Sequence, residues 1–290
     1  MIELRNITKR FGVYTVLNAL NLRFEAGSVT AVLGPNGSGK TTLMKTILGL
    51  VRPDSGEVVI DGVNVLGTAA YRNNVGYMAQ TARFQDNLTA REMLTMMRDI
   101  REHATATREE ELCEMFTILP HLDKPLKTLS GGTRQKVNAV IAFMFNPQIL
   151  MLDEPTAGLD PVSASAFKDL VFQEREAGKT ILLTSHILSE VQELADRIVF
   201  LLEGKCIFDG ESAELLASTG ERTLERAIAQ LLKTDAQLLK INSQAREHIA
   251  KTEKSIAFDR VGMFNAKKLS HSSAVSPITS FEALPFEALP

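Results

Sequence analysis

Cysteine is scarce: Cys113 and Cys206 are the only two in 290 residues. They lie far apart and match no metal-ligand spacing, which argues against a zinc site or a disulfide framework. Two reduced, buried thiols of a cytosolic protein are expected instead. Long apolar runs are also missing. Val140 to Phe145 and Ile149 to Leu152 stop at polar residues, far short of the roughly 18 to 20 residues that span a bilayer. At the N-terminus, Met1-Ile2-Glu3-Leu4-Arg5 places acid where a secretory signal would be apolar. Any role at a membrane would then need another chain to cross it. Basic charge is not in excess: the net charge of −3 gives no electrostatic reason to expect nucleic acid as a partner. What is present, 44% apolar and 23% charged residues, suits a globular chain. The length suits one large domain, alone or with a small appendage.

The stretch that organises the rest is Gly34-Pro35-Asn36-Gly37-Ser38-Gly39-Lys40-Thr41-Thr42. It fits G-x-x-x-x-G-K-[ST], a phosphate-binding loop. Val29 to Leu33 before it reads as a buried strand, and Leu43, Met44, Ile47, Leu48 and Leu50 after it recur at helical spacing. Between a strand and a helix, backbone N–H groups and the helix's positive end can wrap an anion. Lys40 would reach the β- and γ-phosphates of a nucleoside triphosphate, and the Thr41 hydroxyl would ligate Mg²⁺. Phe11 could stack on the base, with Tyr14 as its rival; the lesser alternative is that either ring is core.

Further along, Val58 to Val63 reads as a strand and turn extending a small antiparallel sheet with the N-terminal strands. Val75 to Gln80 reads as a strand ending in an amide that could touch Mg²⁺ or orient a water. From Thr89 the pattern turns helical, opened by the capping box Thr89-Ala90-Arg91-Glu92. Met93, Leu94, Met96 and Met97 line one helical face, and Leu112, Met115, Phe116 and Leu119 a second; such methionine stripes read as adaptable core. His103 and His121 stand alone, solvated or structural. Leu129-Ser130-Gly131-Gly132-Thr133 opens another helix with small residues, a second donor-rich anion site. Gln148 to Pro155 is an apolar strand ending in Asp153 and Glu154, expected to lie beside the strand that feeds the phosphate loop. Asp153 would hold Mg²⁺, and Glu154 would act as general base on the attacking water. Thr180 to Ser185 is the next buried strand, with His186 at its tip. Alternation of strands and helices predicts a parallel sheet flanked by helices. Past about Thr234 the apolar periodicity weakens. The chain ends on a duplicated Phe-Glu-Ala-Leu-Pro, where a disordered tail is expected.

In this order the motifs closely resemble the nucleotide-binding subunit of ABC (ATP-binding cassette) transporters, over roughly residues 1–215. The resemblance rests on Phe11 as adenine-stacking aromatic, the Walker A loop Gly34 to Thr42 and Gln80. It rests equally on the signature Leu129-Ser130-Gly131-Gly132, the Walker B pair Asp153 and Glu154, Asp160 and His186. Two departures are visible: Thr133 where the family commonly has Gln, and Ala157-Gly158 before Leu159-Asp160 where many members have Ser-Ala. The resemblance implies an α/β phosphate-loop NTPase core with a mainly parallel sheet, an antiparallel β subdomain, and an inserted helical subdomain at about 81–146. Residues 216–290 would be a helical extension and tail.

It also implies function. Two copies would meet head to tail, each ATP lying between Walker A of one copy and Ser130 to Gly132 of the other, with Asp160 nearby. Lys40, Gln80, Glu154 and His186 would serve hydrolysis; Thr41, Gln80 and Asp153 would hold Mg²⁺. Opening and closing would drive an integral-membrane partner docked near the Thr81 to Arg101 region, from the inner face of the cell membrane. The stretch Gly131 to Val137 with Phe145-Asn146-Pro147 is further similar to ATPases of copper-processing systems that mature nitrous oxide reductase. Rival readings are a cassette ATPase acting on nucleic acid or ribosomes, and a phosphate-loop kinase. The span between Lys40 and Leu129 holds no heptad run for a coiled-coil arm, there is one cassette, and a kinase has no use for the signature.

Overall fold

A computed structural model describes residues 1–101 and 107–233. The chain divides into two units, Met1–Ile228, which is compact, and Ala229–Pro290. The second is described only to residue 233, and residues 229–233 are helical. His103 and the duplicated pentapeptide lie outside the described residues.

The first sheet of the larger unit is antiparallel. It contains β1 (Ile2–Phe11), β2 (Tyr14–Phe24), β4 (Ser55–Ile60) and β5 (Val63–Asn64) in the order β2-β1-β4-β5. Alternation in β1 puts Ile2 and Leu4 inside, then slips at Asn6, whose φ is 52°, so that Ile7 returns to the core. The β1–β2 register shifts between Leu4 and Ile7, as a bulge does.

The second sheet combines β3 (Ser28–Leu33), β6 (Val75–Met78), β7 (Ile149–Asp153), β8 (Thr180–Thr184), β9 (Arg197–Leu202) and β10 (Lys205–Gly210). Its order is β10-β9-β3-β8-β7-β6. All neighbours pair in parallel except the β9–β10 hairpin. Every residue of β7 and β8 is buried; strands covered on both faces are written as unbroken apolar runs. The expectation that β7 lies beside β3 is corrected here: β8 stands between them. Neither apolar run carries a mark of which neighbour it pairs with, so sequence reading had no means to order them. The two sheets and α1 (Lys40–Ile47) share one core, where Phe24 and Leu4 meet Leu43, Val32 and Met151.

Among the described residues, three α-helices fall in the inserted region: α2 (Ala90–Ile100), α3 (Glu109–Met115) and α4 (Gly131–Phe143). The capping box at Thr89 is formed, with Glu92 N–H donating to the Thr89 hydroxyl and Thr89 N–H donating to the Glu92 carboxylate. Met96, expected on the apolar face of α2, is exposed, and two further apolar assignments shift. Leu50 falls beyond the end of α1 and is exposed, and Leu119 is exposed while Ile118 is fully buried. The reason for the second is that α3 stops at Met115 and Thr117 takes φ 52°, which breaks the helical phase.

A buried charge cluster pins α3 to the core. Glu174, near the end of α5 (Pro161–Glu176), is 2% exposed and pairs with both Arg108 and Lys179. Lys179 also donates to Asn146 Oδ1. Buried charges are tolerated only when paired in this way. After α6 (Leu188–Leu194), the unit continues past residue 215: Leu215 of α7 (Ser212–Thr219), Leu224 and Ala227 are all buried.

Candidate active site

Glycine geometry builds the site first. Gly34, Gly37 and Gly39 have φ of 146°, 80° and 108°, where a Cβ is strained. A Cβ on Gly34 would also run into the Leu201 carbonyl, and one on Gly39 would sit 2.7 Å from Val16 O. Gly39 caps α1 without any side-chain hydrogen bond, leaving the first-turn N–H groups for an anion. Ser38 Oγ is buried with no hydrogen-bond partner among the described residues, 2.6 Å from where a Cβ on Gly34 would sit.

The loop forms one wall of a cleft of about 180 Å³, lined by Asn36, Gly37, Gly39, Lys40, Thr41 and Thr42. Gln80 lies two residues past the end of β6, rather than on the strand, and reaches the same cleft. Asp153, Glu154 and His186 close it from the tips of β7 and β8, and Val16 of β2 from the other sheet. Lys40 Nζ donates to the Gly34 and Pro35 carbonyls at 2.7 and 3.1 Å. Burial pulls its pKa below the ordinary value, opposed by Glu154 and Asp153.

Glu154 is the strained member, a non-glycine residue at φ 52° and 8% exposed. Its N–H is held by the Thr184 carbonyl at 3.2 Å and the Thr184 hydroxyl at 3.1 Å. Its carboxylate lies 3.0 Å from His186 Nε2 and accepts the His186 N–H at 3.2 Å. Burial raises the Glu154 carboxyl above its ordinary value, and His186 beside it only partly offsets this. A carboxylate with raised affinity for a proton, at the rim of a phosphate cradle, is equipped as a general base. Thr184 also donates to Asp153 Oδ1 at 2.6 Å. Sequence reading placed Thr184 only as a strand residue; one hydroxyl inside an apolar run gave no signal until the strand order was known. Val16 was missed for the same reason.

The remaining predicted residues do not line this cleft. Phe11 and Tyr14 face each other across the β1–β2 turn and are 50% and 75% exposed, so neither is core; Lys9 Nζ sits 5.3 Å from the centre of the Phe11 ring. Ser130 caps α4, is exposed, and accepts the Thr133 N–H. Gly131 next to it is exposed as well. Gly132 packs so closely that a Cβ would lie 2.6 Å from Gly158 O. Asp160 caps α5, and Lys136 lies 2.8 Å from its Oδ2. Asn138 of α4 donates to Ala79 O beside Gln80, and Gln135 to Pro155 O. Thus α4 touches the segments after both Glu154 and β6, while its own N-terminus points elsewhere. Of the two thiols, Cys113 is buried as expected and Cys206 only half-buried, and burial pushes each up to about 11.

This geometry has relatives. The sequence profile described as "ABC transporter" matches residues 17–157. The daunorubicin resistance ATP-binding protein DrrA3 of Streptomyces coeruleorubidus is 37% identical, covering 73% of this chain and 68% of its own. The lantibiotic transport ATP-binding protein SrtF of Streptococcus pyogenes is 34% identical, covering 73% and 91%. Among solved structures, the dimeric post-hydrolysis state of the ATP-binding cassette MJ0796 bound to ADP and Pi superposes with a TM-score of 0.66. It is 27% identical and covers 73% of this chain and 98% of that one.

Proposed function

This chain belongs to the ABC transporter ATP-binding family, and on that premise we propose that it is the ATPase subunit of an exporter, driving a separate membrane-spanning partner. That it is an ATPase follows from the family; export is inferred from the drug and lantibiotic names of its relatives. Among the described residues no helix is long and apolar enough to cross a membrane, so the partner supplies the crossing and this chain sits on the cytoplasmic face. The observation that carries the reading is Glu154, proton-avid and 3.0 Å from His186, facing Lys40 across one cleft.

ATP and Mg²⁺ fit the residues present. The unpartnered Ser38 hydroxyl and the cradle that a Cβ would fill suit phosphate oxygens. Thr41, Gln80 and Asp153 offer oxygen donors in the same cleft, and a hard cation takes oxygen ligands together with substrate phosphates. Bound there, Mg²⁺ would neutralise charge on the β- and γ-phosphates. The loop N–H groups of Gly34 to Thr42 bind phosphate, Lys40 leaves the loop carbonyls for phosphate oxygens, and Phe11 stacks on the base. Glu154 takes the proton of the attacking water at its carboxylate, and His186 orients that carboxylate from the solvent side.

Ser130, Gly131 and Gly132, left outside the cleft, serve the nucleotide of a second copy arranged head to tail, with Asp160 beside the junction. A cassette of related fold is described as a dimer with ADP and Pi. Motion between copies reaches the partner through α4, Gln80 and the Thr81 to Arg101 surface. The narrower role in copper processing rests on the stretch from Gly131 to Pro147 alone. Among the described residues no cluster of three His, Cys, Asp or Glu exists to hold a metal, so copper would be handled by partners.

The test is Glu154→Gln. It should bind ATP normally, hydrolyse it about 10²- to 10⁴-fold more slowly, and accumulate as a dimer on size exclusion with ATP and Mg²⁺. Near-normal turnover, or a strict monomer, would refute the reading. Copurification of ribosomal or chromosomal proteins in place of an integral-membrane protein would favour the non-transport alternative.

A further inference from the structure

We propose that Thr184 is a positioning residue for hydrolysis, setting both the Asp153 carboxylate and the backbone turn that aims Glu154. The proposal rests on the reading of the cleft as an Mg²⁺·ATP site. Thr184 is the last residue of β8, in register with Asp153 across the β7–β8 pair and fully buried. A hydroxyl has one proton to give and lone pairs to receive. An amide N–H can only donate, so the Glu154 N–H at 3.1 Å occupies a lone pair. The Thr184 proton therefore goes to Asp153 Oδ1, at 2.6 Å, a charge-assisted bond.

Two consequences follow. Asp153 cannot rotate its carboxylate freely, and with Oδ1 engaged inside the protein, Oδ2 is the oxygen left for a cation. Among the described residues no other hydrogen bond to the Asp153 carboxylate is seen. Glu154 meanwhile keeps a φ of 52° that its own side chain disfavours. Such strain persists only where surroundings over-determine it, and here the same threonine supplies both acceptors of the Glu154 N–H. A valine would fill this site equally well by volume; an apolar run with a hydroxyl at its tip is explained by the two groups it serves. The residue touches no substrate and acts through its neighbours, as outer-shell partners of metal ligands do.

The experiment uses the full chain with Thr184→Val, Thr184→Ser and Thr184→Ala, and Asp153→Asn as control. Binding of Mn²⁺ in the presence of ADP is followed by electron paramagnetic resonance, alongside ATP turnover and metal-free nucleotide binding. Thr184→Val should weaken Mn²⁺ binding and lower kcat, each by about 10- to 100-fold, while metal-free nucleotide affinity holds. Thr184→Ser should stay close to the parent. If valine does not fold there, the Ser and Ala variants decide, because they leave the same missing methyl and differ by the hydroxyl alone. Equal Mn²⁺ affinity in Ser and Ala, or an unchanged valine variant, overturns the role of Thr184. Should Asp153→Asn also leave Mn²⁺ binding intact, it is the metal-site reading that has failed.

Discussion

Two glycine-rich helix starts on this chain look alike on paper and differ in three dimensions. At Gly34 to Thr42, the glycines are demanded by the fold itself: positive φ, and carbonyls of Val16 and Leu201 where a Cβ would go. Buried acid, lysine and an unpartnered hydroxyl surround them. At Ser130 to Gly132 the first two residues are exposed, and nothing lies within 4 Å of a Cβ placed on Gly131. Gly132 is the intermediate case, closed by Gly158 O. On the proposed head-to-tail reading, one start is half of a site in its own chain and the other is the half offered to a neighbour.

The contrast is sharpest if a single methyl is added to each loop. Gly39→Ala should abolish nucleotide binding and cost roughly 2 to 5 kcal/mol of stability, from backbone strain and overpacking together; calorimetric ATP titration and chemical denaturation measure both. At the other start, Ser130→Ala should lose a helix cap of about 1 kcal/mol. It should also lower turnover by about 10- to 150-fold, the worth of one hydrogen bond to a charged group, with ATP binding to the monomer unchanged. A fall in monomer affinity would mean that Ser130 belongs to its own chain's cleft, and the comparison would collapse. Gly131→Ala should stabilise the fold by about 0.5 kcal/mol and yet slow turnover, and a gain in both would remove the partner from the argument.

The smallest effect concerns the link between α4 and the start of α5. Lys136 and the Ser163 backbone hold the Asp160 carboxyl well below its ordinary value of 3.8. A depressed folded pKa contributes stability above the unfolded value and loses it as pH falls through the folded one. Between pH 5 and 8 the thermal midpoints of the parent and Lys136→Met should therefore differ by a constant amount. Their gap should begin to close only below about pH 4; closure near neutrality would show that some other group sets the link.

Much of the cleft was legible in sequence because it is local. A strand, a glycine turn and a helix are contiguous from Val29 to Leu48, and their chemistry survives without knowledge of the rest. Asp153, Glu154 and His186 were legible for a related reason: charge or imidazole at the tip of an apolar run has to face something. Leu50 and Leu119 were misplaced because periodicity assumes that the helix continues, and a single residue at positive φ ends it. The buried Glu174, Arg108 and Lys179 cluster was invisible, since each charge looks like an ordinary surface residue until its partners arrive from distant segments.

By itself, then, the order of residues determined a glycine loop between a strand and a helix and an acid pair at the tip of an apolar strand, because those features need only neighbours within a few positions. The insertion of β8 between β3 and β7 was decided in tertiary structure, and so was Thr184 reaching both acidic residues. The same holds for Ser130 standing outside the cleft. Strand pairing is chosen by complementary packing over the whole sheet, and an apolar run carries no address for the strand it will lie beside.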